Sequence, residues 1–309
     1  MTTTKIVIAG IEITFWTEHL SDEEFLNEIF LYHTEQNPVP YDRKECHDVI
    51  ISSLTGKVIT TDEKQLVWNG YINENMPVKW YNVNDTEDIV CIGNDIVIKH
   101  LPQRFITICH LSETKAKFFK SHRPRLTNYI FLLLHNIMSM HKKYCVHASC
   151  AAKNETAYLF LGKSGEGKTT LSSILGNAGW EYMGDDLVFI SENENHEIIA
   201  DGFLCKAKLL NAKMQTKDAI DIIKNQNFNY SYSKKIGTVV KLQKTAGNNS
   251  SLLPASQAES FAWLMSSGNN IRIQYHKQHW MNVAEKASDL PAYTLKFANK
   301  ELFEPSILV

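Results

Sequence analysis

Over roughly the first hundred residues, β-branched and aromatic side chains come in short runs set apart by Asn, Asp and Gly: "KIVIAGIEITFW", "DVIISS", "KVITT", "VKWYNV", "DIVIKHL" and "RFITICHL". Runs of that length and residue type predict strands. One helix interrupts them. Ser21, with Glu24 three places on, forms a capping box ahead of "FLNEIFLYH", which predicts a helix over about residues 22 to 33. The most apolar stretch, "LTNYIFLLLHNIMSM" from Leu126 to Met140, holds Asn128, His135 and Asn136. It falls short of the roughly 20 apolar residues that a bilayer requires and predicts a buried helix. Pro124 in "SHRPRL" suits the first turn of that helix, so a domain boundary is placed near residue 122.

Beyond that helix, "CVHASCAA", the turn-like "KNET" and the apolar "AYLFL" predict a hairpin or two neighbouring strands that lead into a glycine-rich loop. "KTTLSSILGNAG" continues as a helix of about three turns, stopping at Gly179 in a left-handed C-terminal position. "WEYM" makes a short strand, Gly184 bends the chain, and Asp185 and Asp186 follow. "KTAGNNSS" and "SSGNN" read as loops.

Length and charge narrow the picture without choosing a function. A chain of 309 residues and 35.3 kDa accommodates two domains with separate cores, here 1–122 and 123–309. A formal net charge of −2, from 32 basic and 34 acidic residues, gives no electrostatic case for nucleic acid or an anionic membrane as partner. The six cysteines show no CxxC spacing and no secretory signal precedes them, so the expectation is a reduced, cytoplasmic setting without thiolate metal sites.

The loop carries the chemistry. Gly162-Lys163-Ser164-Gly165-Glu166-Gly167-Lys168-Thr169 matches G-x-x-x-x-G-K-[ST], in which glycines let successive backbone N–H groups converge on phosphate oxygens. Lys168 is expected to reach the β and γ phosphates and the Thr169 hydroxyl to ligate Mg²⁺, with Ser164, Glu166 and Thr170 as further nucleotide-binding candidates. A Mg²⁺-nucleotide also wants a nearby carboxylate, and Asp185-Asp186 is the candidate pair, 17 positions after Lys168. In a parallel crossover, the strand after the loop helix brings its carboxyl end beside the phosphates. One aspartate would face the metal, and the other could accept the proton of an attacking hydroxyl. The residues alone do not say which is which, and Gly-Asp-Asp is also ordinary turn chemistry.

"VHASCAA" followed by "LFLGKSGEGKTTLSSILGNAGWEYMGDD" resembles the kinase domain of the HPr kinase/phosphorylase family and of related kinases found with peptide-modification systems. Phosphoenolpyruvate carboxykinase shares the nucleotide-site architecture more distantly. The resemblance covers about residues 123 to 300, with "RLTNYIFLLL" and "DLPAYTLKF" as weaker matches. It implies an α/β fold: a P-loop-containing, HPr kinase/carboxykinase-like nucleotide domain preceded by a smaller, mainly β domain of α+β type. It further implies that Lys168 and Thr169 hold phosphate and magnesium, that Asp185 is the base toward a serine hydroxyl, that Asp186 is the metal ligand, and that His147 lines the site. HPr kinases carry a glycine-rich segment with a Glu after the second strand pair. The matching stretch here, "ADGFLCKAKLL", has none, so phosphorylation of HPr itself and the reverse phosphorylase reaction are not expected.

Four lysines are further candidates for phosphate or acceptor contacts. Lys206 and Lys208 alternate with Cys205 and Ala207, which in a strand would share a face. Lys234 and Lys235 in "YSYSKKIGTVVKL" could belong to a mobile loop that neutralises the transferring phosphoryl group. The expectation is an ATP- and Mg²⁺-dependent kinase acting on a serine of a peptide or protein, such as a ribosomally made precursor peptide, with oligomerisation left open. A small-metabolite kinase or carboxykinase-like enzyme, and a non-catalytic nucleotide-binding module, are the alternatives.

Lys168→Ala should abolish nearly all phosphoryl transfer with the fold intact, while Lys163→Ala should be mild. Transfer rates and circular dichroism of the two variants check this, and equal damage from both would mean that the loop is out of register.

Overall fold

The computed structural model describes residues 2–17, 20–34, 45–54, 66–71, 77–84, 87–93, 96–112, 123–205, 207–211, 216–220, 223–224, 227–245, 250–268, 273–297 and 303–308. The architecture is mixed α/β. The chain divides into two compact units, Met1–Met140 and His141–Val309. The boundary expected near residue 122 and the expected strand "KVITT" lie outside the described residues.

In the first unit, eight strands form one sheet: β1 (Thr2–Ile8), β2 (Ile11–Thr17), β3 (Glu45–Leu54), β4 (Leu66–Tyr71), β5 (Pro77–Asn84), β6 (Glu87–Ile92), β7 (Ile96–Leu101) and β8 (Ile106–Ser112). Their order is β1-β2-β3-β8-β7-β6-β5-β4, and β3 is parallel to both β2 and β8. The run "KIVIAGIEITFW" is not one strand. It folds back at Ala9 and Gly10, whose φ angles of 51° and 78° suit the two-residue hairpins that match strand twist. Helix α1 (Leu20–Ile29) covers β1 and β2 and stacks Phe30 on Phe15 at 5.5 Å. It begins before Ser21 and ends short of residue 33, because the chain leaves the helix to cover the sheet edge. The His33 carbonyl accepts the Val7 N–H at 2.8 Å, and Thr34 bridges Ile6. Helix α2 (Arg123–Met140) buries Leu133, Leu134, Ile137 and Met138.

The second unit is built on a nine-stranded sheet. It contains β9 (Tyr144–Val146), β10 (Ala148–Lys153), β11 (Thr156–Leu161), β12 (Glu181–Gly184), β13 (Val188–Glu192), β14 (Ile198–Gly202), β17 (Ser233–Lys244), β18 (Ser251–Pro254) and β19 (Ala292–Phe297); β15 (Ala207–Asn211) and β16 (Thr216–Ile220) make a separate ladder. Side chains alternate across the sheet. Leu159 and Leu161 meet Trp280, Val283 and Leu264 of helices α4 (Gln257–Ser267) and α5 (Ile273–Ser288). Phe160 meets Leu171 and Leu175 of helix α3 (Lys168–Asn177) on the opposite face. The expected β10–β11 hairpin is present, turning at Asn154 and Glu155, both with positive φ.

Helix α3 ends as its sequence demands. Gly179 is left-handed at φ 83°, its N–H reaches Gly176 O at 3.0 Å, and the Trp180 N–H reaches Leu175 O at 3.0 Å, which is the Schellman arrangement. β12 then runs in the same direction as β11, as a crossover requires, but β10 lies between them and is antiparallel to both.

Two glycines let β12 end where it does. A Cβ on Gly202 would stand 1.6 Å from the Met183 carbonyl oxygen, and Gly184, at φ 152°, faces the Phe203 backbone at 3.0 Å. Gly202→Ala should therefore cost about 3 kcal/mol or more by overpacking against a backbone, read as a shift of the urea unfolding midpoint. A neutral result would mean that this approach of β14 to β12 is looser than the geometry shows.

Candidate phosphate-loop site

The loop begins where β11 ends, at Leu161, and closes at the first residue of α3. Gly165 and Gly167 have φ of 89° and 97°, conformations that L side chains rarely adopt. Gly167 is the N-cap, and no side chain caps the helix. The first N–H groups of α3 therefore stay available to an anion, with the positive end of the helix behind them. A side chain at Gly165 would project into open space, so the glycine there serves backbone conformation rather than packing.

Lys168 is only 5% exposed, and its ammonium turns back onto the loop. It donates to Gly162 O at 2.9 Å and Lys163 O at 3.3 Å, and lies 3.0 Å from His147 Nε2. His147 Nδ1 lies 3.2 Å from the Asp186 carbonyl oxygen, which can only accept. Nδ1 therefore carries the proton, and Nε2 of the neutral ring accepts from Lys168. Burial, helped by the Lys168 charge, lowers the His147 pKa and so favours this neutral form, against the opposing pull of Asp186. Burial also lowers the Lys168 pKa, opposed by Asp186, Asp185 and Glu166.

The adjacent aspartates occupy different environments. Asp185 is 3% exposed, and its Oδ2 accepts the Thr169 hydroxyl at 2.6 Å. Its Oδ1 is buried with no hydrogen-bond partner among the described residues. Burial, with the Asp186 charge second, raises its pKa from 3.8 to about 6, against the pull of the Thr169 hydroxyl, Lys168 and the Asp186 N–H. Asp186 is exposed, in a left-handed conformation at φ 67°, with its carboxylate 4.0 Å from His147 Nδ1. A non-glycine residue held there fixes where the carboxylate emerges.

The sequence-predicted residues thus fall into two groups. Gly162, Gly165, Gly167, Lys168, Thr169, Asp185, Asp186 and His147 converge. Ser164 is exposed on the loop, Thr170 is half-buried in the first turn of α3, and the Glu166 carboxylate accepts the Lys163 N–H at 2.6 Å. Lys234 and Lys235 do not join the loop. They are in β17 rather than in a mobile loop, and Lys235 is in register with Thr156 at the far end of β11. There Lys234 pairs with Glu155 at 2.6 Å and Lys235 with Glu197 at 2.9 Å. Lys206 lies outside the described residues, and Lys208 is in β15, which lies beside α3. In "ADGFLCKAKLL", the buried Asp201 is paired with Lys143 at 3.2 Å.

One residue at the site was not anticipated. Lys241 is in register with Leu161, immediately before the loop, and its charge acts on Lys168. A lysine inside the apolar run "TVVKL" gives no sign of this until the partner strand is known.

The donor set fits a hard divalent cation. Thr169 and the Asp185 carboxylate offer adjacent oxygens, one of them buried and unpartnered, which suits a Mg²⁺ that draws its remaining ligands from water and phosphate. Among the described residues, no group of three or more His, Cys, Asp or Glu could hold a metal ion. The six cysteines are free thiols, and no described helix is long and apolar enough to cross a membrane.

No protein-family model matches the chain, and no curated protein matches it. Among solved structures, the HPr(Ser) kinase/phosphatase from Coxiella burnetii is similar at 14% identity and a TM-score of 0.31, over 50% of this chain and 79% of that one. A likeness of that degree assigns no role to any residue.

The raised pKa of Asp185 makes a signed prediction for stability. A carboxyl that titrates at about 6 when folded, against an ordinary 3.8, is favoured while protonated. The benefit is complete below the unfolded value, shrinks as pH rises through the interval, and is gone above the folded value. Asp185→Asn, which can still accept the Thr169 hydroxyl, should therefore be more stable than the native chain by about 2 kcal/mol at pH 7.5 and equal to it near pH 3.5. Urea unfolding at the two pH values checks this, and a destabilised variant at pH 7.5 would show the carboxylate to be net favourable where it sits.

Proposed function

We propose that this chain is an ATP-dependent phosphotransferase that moves the γ-phosphate to a serine hydroxyl of a peptide or protein in a cytoplasmic setting. The observation that carries the reading is the 2.6 Å contact of Asp185 with Thr169. It ties the carboxylate strand to the loop residue that faces Mg²⁺ in a nucleotide site. A loop that bound phosphate only by its backbone would need no buried acid there.

Under this reading the loop N–H groups and the Lys168 ammonium hold the polyphosphate, and Lys168 exchanges its contacts with Gly162, Lys163 and His147 for phosphate oxygens. Thr169 and Asp185 would hold Mg²⁺, which when bound neutralises charge on the β and γ phosphates. Asp186, exposed and aligned beside His147, takes the proton as the serine oxygen bonds to phosphorus and the bond to the leaving ADP oxygen breaks. His147 keeps its proton on Nδ1, directed at the Asp186 carbonyl, and so holds the backbone that places the Asp186 carboxylate. This is the reverse of the aspartate division that the family resemblance implies. It is supported by burial, since a base must be reached by its acceptor and Asp185 is enclosed.

The two aspartates should fail differently. Asp185→Asn should weaken Mg²⁺-ATP binding and recover partly at high Mg²⁺, because an amide is a poor ligand for that ion. Asp186→Asn should bind Mg²⁺-ATP nearly normally yet transfer phosphate about 10²–10⁴-fold more slowly, with no rescue by metal. The checks are calorimetry and single-turnover rates across a Mg²⁺ series, on an acceptor found by mass spectrometry of candidate peptides incubated with ATP. The opposite pattern would restore the division that the resemblance implies. ATP binding without turnover on any acceptor, small or polypeptide, would leave a nucleotide-binding module.

A further inference from the structure

We propose that Lys241 is a second phosphate-binding cation of the loop, placed against the terminal phosphate of a nucleoside triphosphate, and that it gives the site its preference for triphosphate over diphosphate. This rests on the nucleotide-site reading above and adds to it a residue that lies outside the loop motif.

The placement follows from the strand register. β17 runs parallel to β11, with Lys241 opposite Leu161 and Val239 opposite Leu159. Leu242 follows, and its Cβ lies 3.4 Å from where a Cβ on Gly162 would stand, so β17 flanks the base of the loop. Side chains alternate: Val240 and Leu242 join the core beneath α3, while Val239 and Leu161 join the one beneath α4 and α5. Lys241 therefore lies on the α4 side of the sheet. Lys241 stands at the loop end of β11, and its charge reaches Lys168.

Their surroundings point to an anion. Lys241 is half-buried between the fully buried Val240 and Leu242, and its side chain makes no ion pair or hydrogen bond among the described residues. Elsewhere in β17, Lys234 and Lys235 both have glutamate partners. Of the nearby acids, Asp185 is engaged by Thr169 and Glu166 by the loop N–H, while the exposed Asp186 carboxylate lies beside His147 at 4.0 Å. The field of Lys241 acts to lower the pKa of Lys168, so the two cations repel, and a polyphosphate lying between them would turn that repulsion into attraction for both. The Lys168 side of a phosphate loop is the β/γ end of the nucleotide. A cation beside it therefore meets the terminal phosphate rather than the base or sugar.

The test is calorimetric titration of the full chain with ATP and with ADP, in Mg²⁺ and without acceptor, for the native protein, Lys241→Gln, Lys241→Arg and Lys244→Gln. Lys241→Gln should lose about tenfold in ATP affinity and under about threefold in ADP affinity, a difference of the size expected for one phosphate contact. Lys241→Arg should restore most of the loss, and Lys244→Gln, exposed three residues along the same strand, should change neither. Equal losses for ATP and ADP, or no change in their ratio while the native chain binds both, would overturn the assignment of Lys241 alone. A native chain that binds neither nucleotide would overturn the nucleotide-site reading and this assignment together.

Discussion

The hydrogen bond from Thr169 to Asp185 is the contact on which the site's organisation depends. It joins the first turn of α3 to the residue just past β12, the strand that follows α3 and brings the chain back to the loop. The bond forms only because β12 runs in the direction of β11, and because Gly184 and Gly202 let two backbones pass at a distance no Cβ would tolerate. The sheet, the crossover and both glycines therefore act together on the position of one carboxylate. Burying that carboxylate with one oxygen unpartnered is unfavourable by itself, and the raised pKa of Asp185 expresses that penalty in protonation.

Lys168 sits in a complementary arrangement. A buried ammonium needs acceptors, and without phosphate it takes them from the loop's own carbonyls and from His147. His147 is in turn oriented by the Asp186 carbonyl, and the left-handed backbone of Asp186 fixes where both its carbonyl and its carboxylate point. The loop is thus held in place by contacts made through the groups that the proposed chemistry requires, and under that proposal a phosphate would compete with three acceptors of modest strength rather than with a tight ion pair. That competition favours a ligand of high charge density over a singly charged one.

Much of this was legible in the sequence where local rules act. The strand, loop and helix from "AYLFL" to Gly179, the left-handed helix stop and the bend at Gly184 follow from apolar runs and glycine positions alone. The convergence of Asp185 on the loop follows from the handedness of crossovers. What could not be read was set by tertiary pairing. α1 stops early because the edge of β1 needs a partner, and β10 intrudes between β11 and β12 because a hairpin precedes the loop. The different burial of Asp185 and Asp186 arises from β14 pressing on β12, a contact that "ADGF" announces only through its glycine.

The lysines of β17 show the same limit most sharply, since Lys234, Lys235 and Lys241 belong to one strand. At about 3.3 Å of rise per residue, six residues carry the chain roughly 20 Å, the difference between the turn end of β11 and its loop end. Each half of the strand carries two lysines, so charge could not select among them, and the adjacent pair "KK" draws the eye more than the single lysine in "VVKL". The parallel register, Thr156 with Lys235 and Leu161 with Lys241, reverses that choice. It gives the conspicuous pair glutamate partners away from the loop and leaves the inconspicuous lysine half-buried beside the loop, with its charge unmatched.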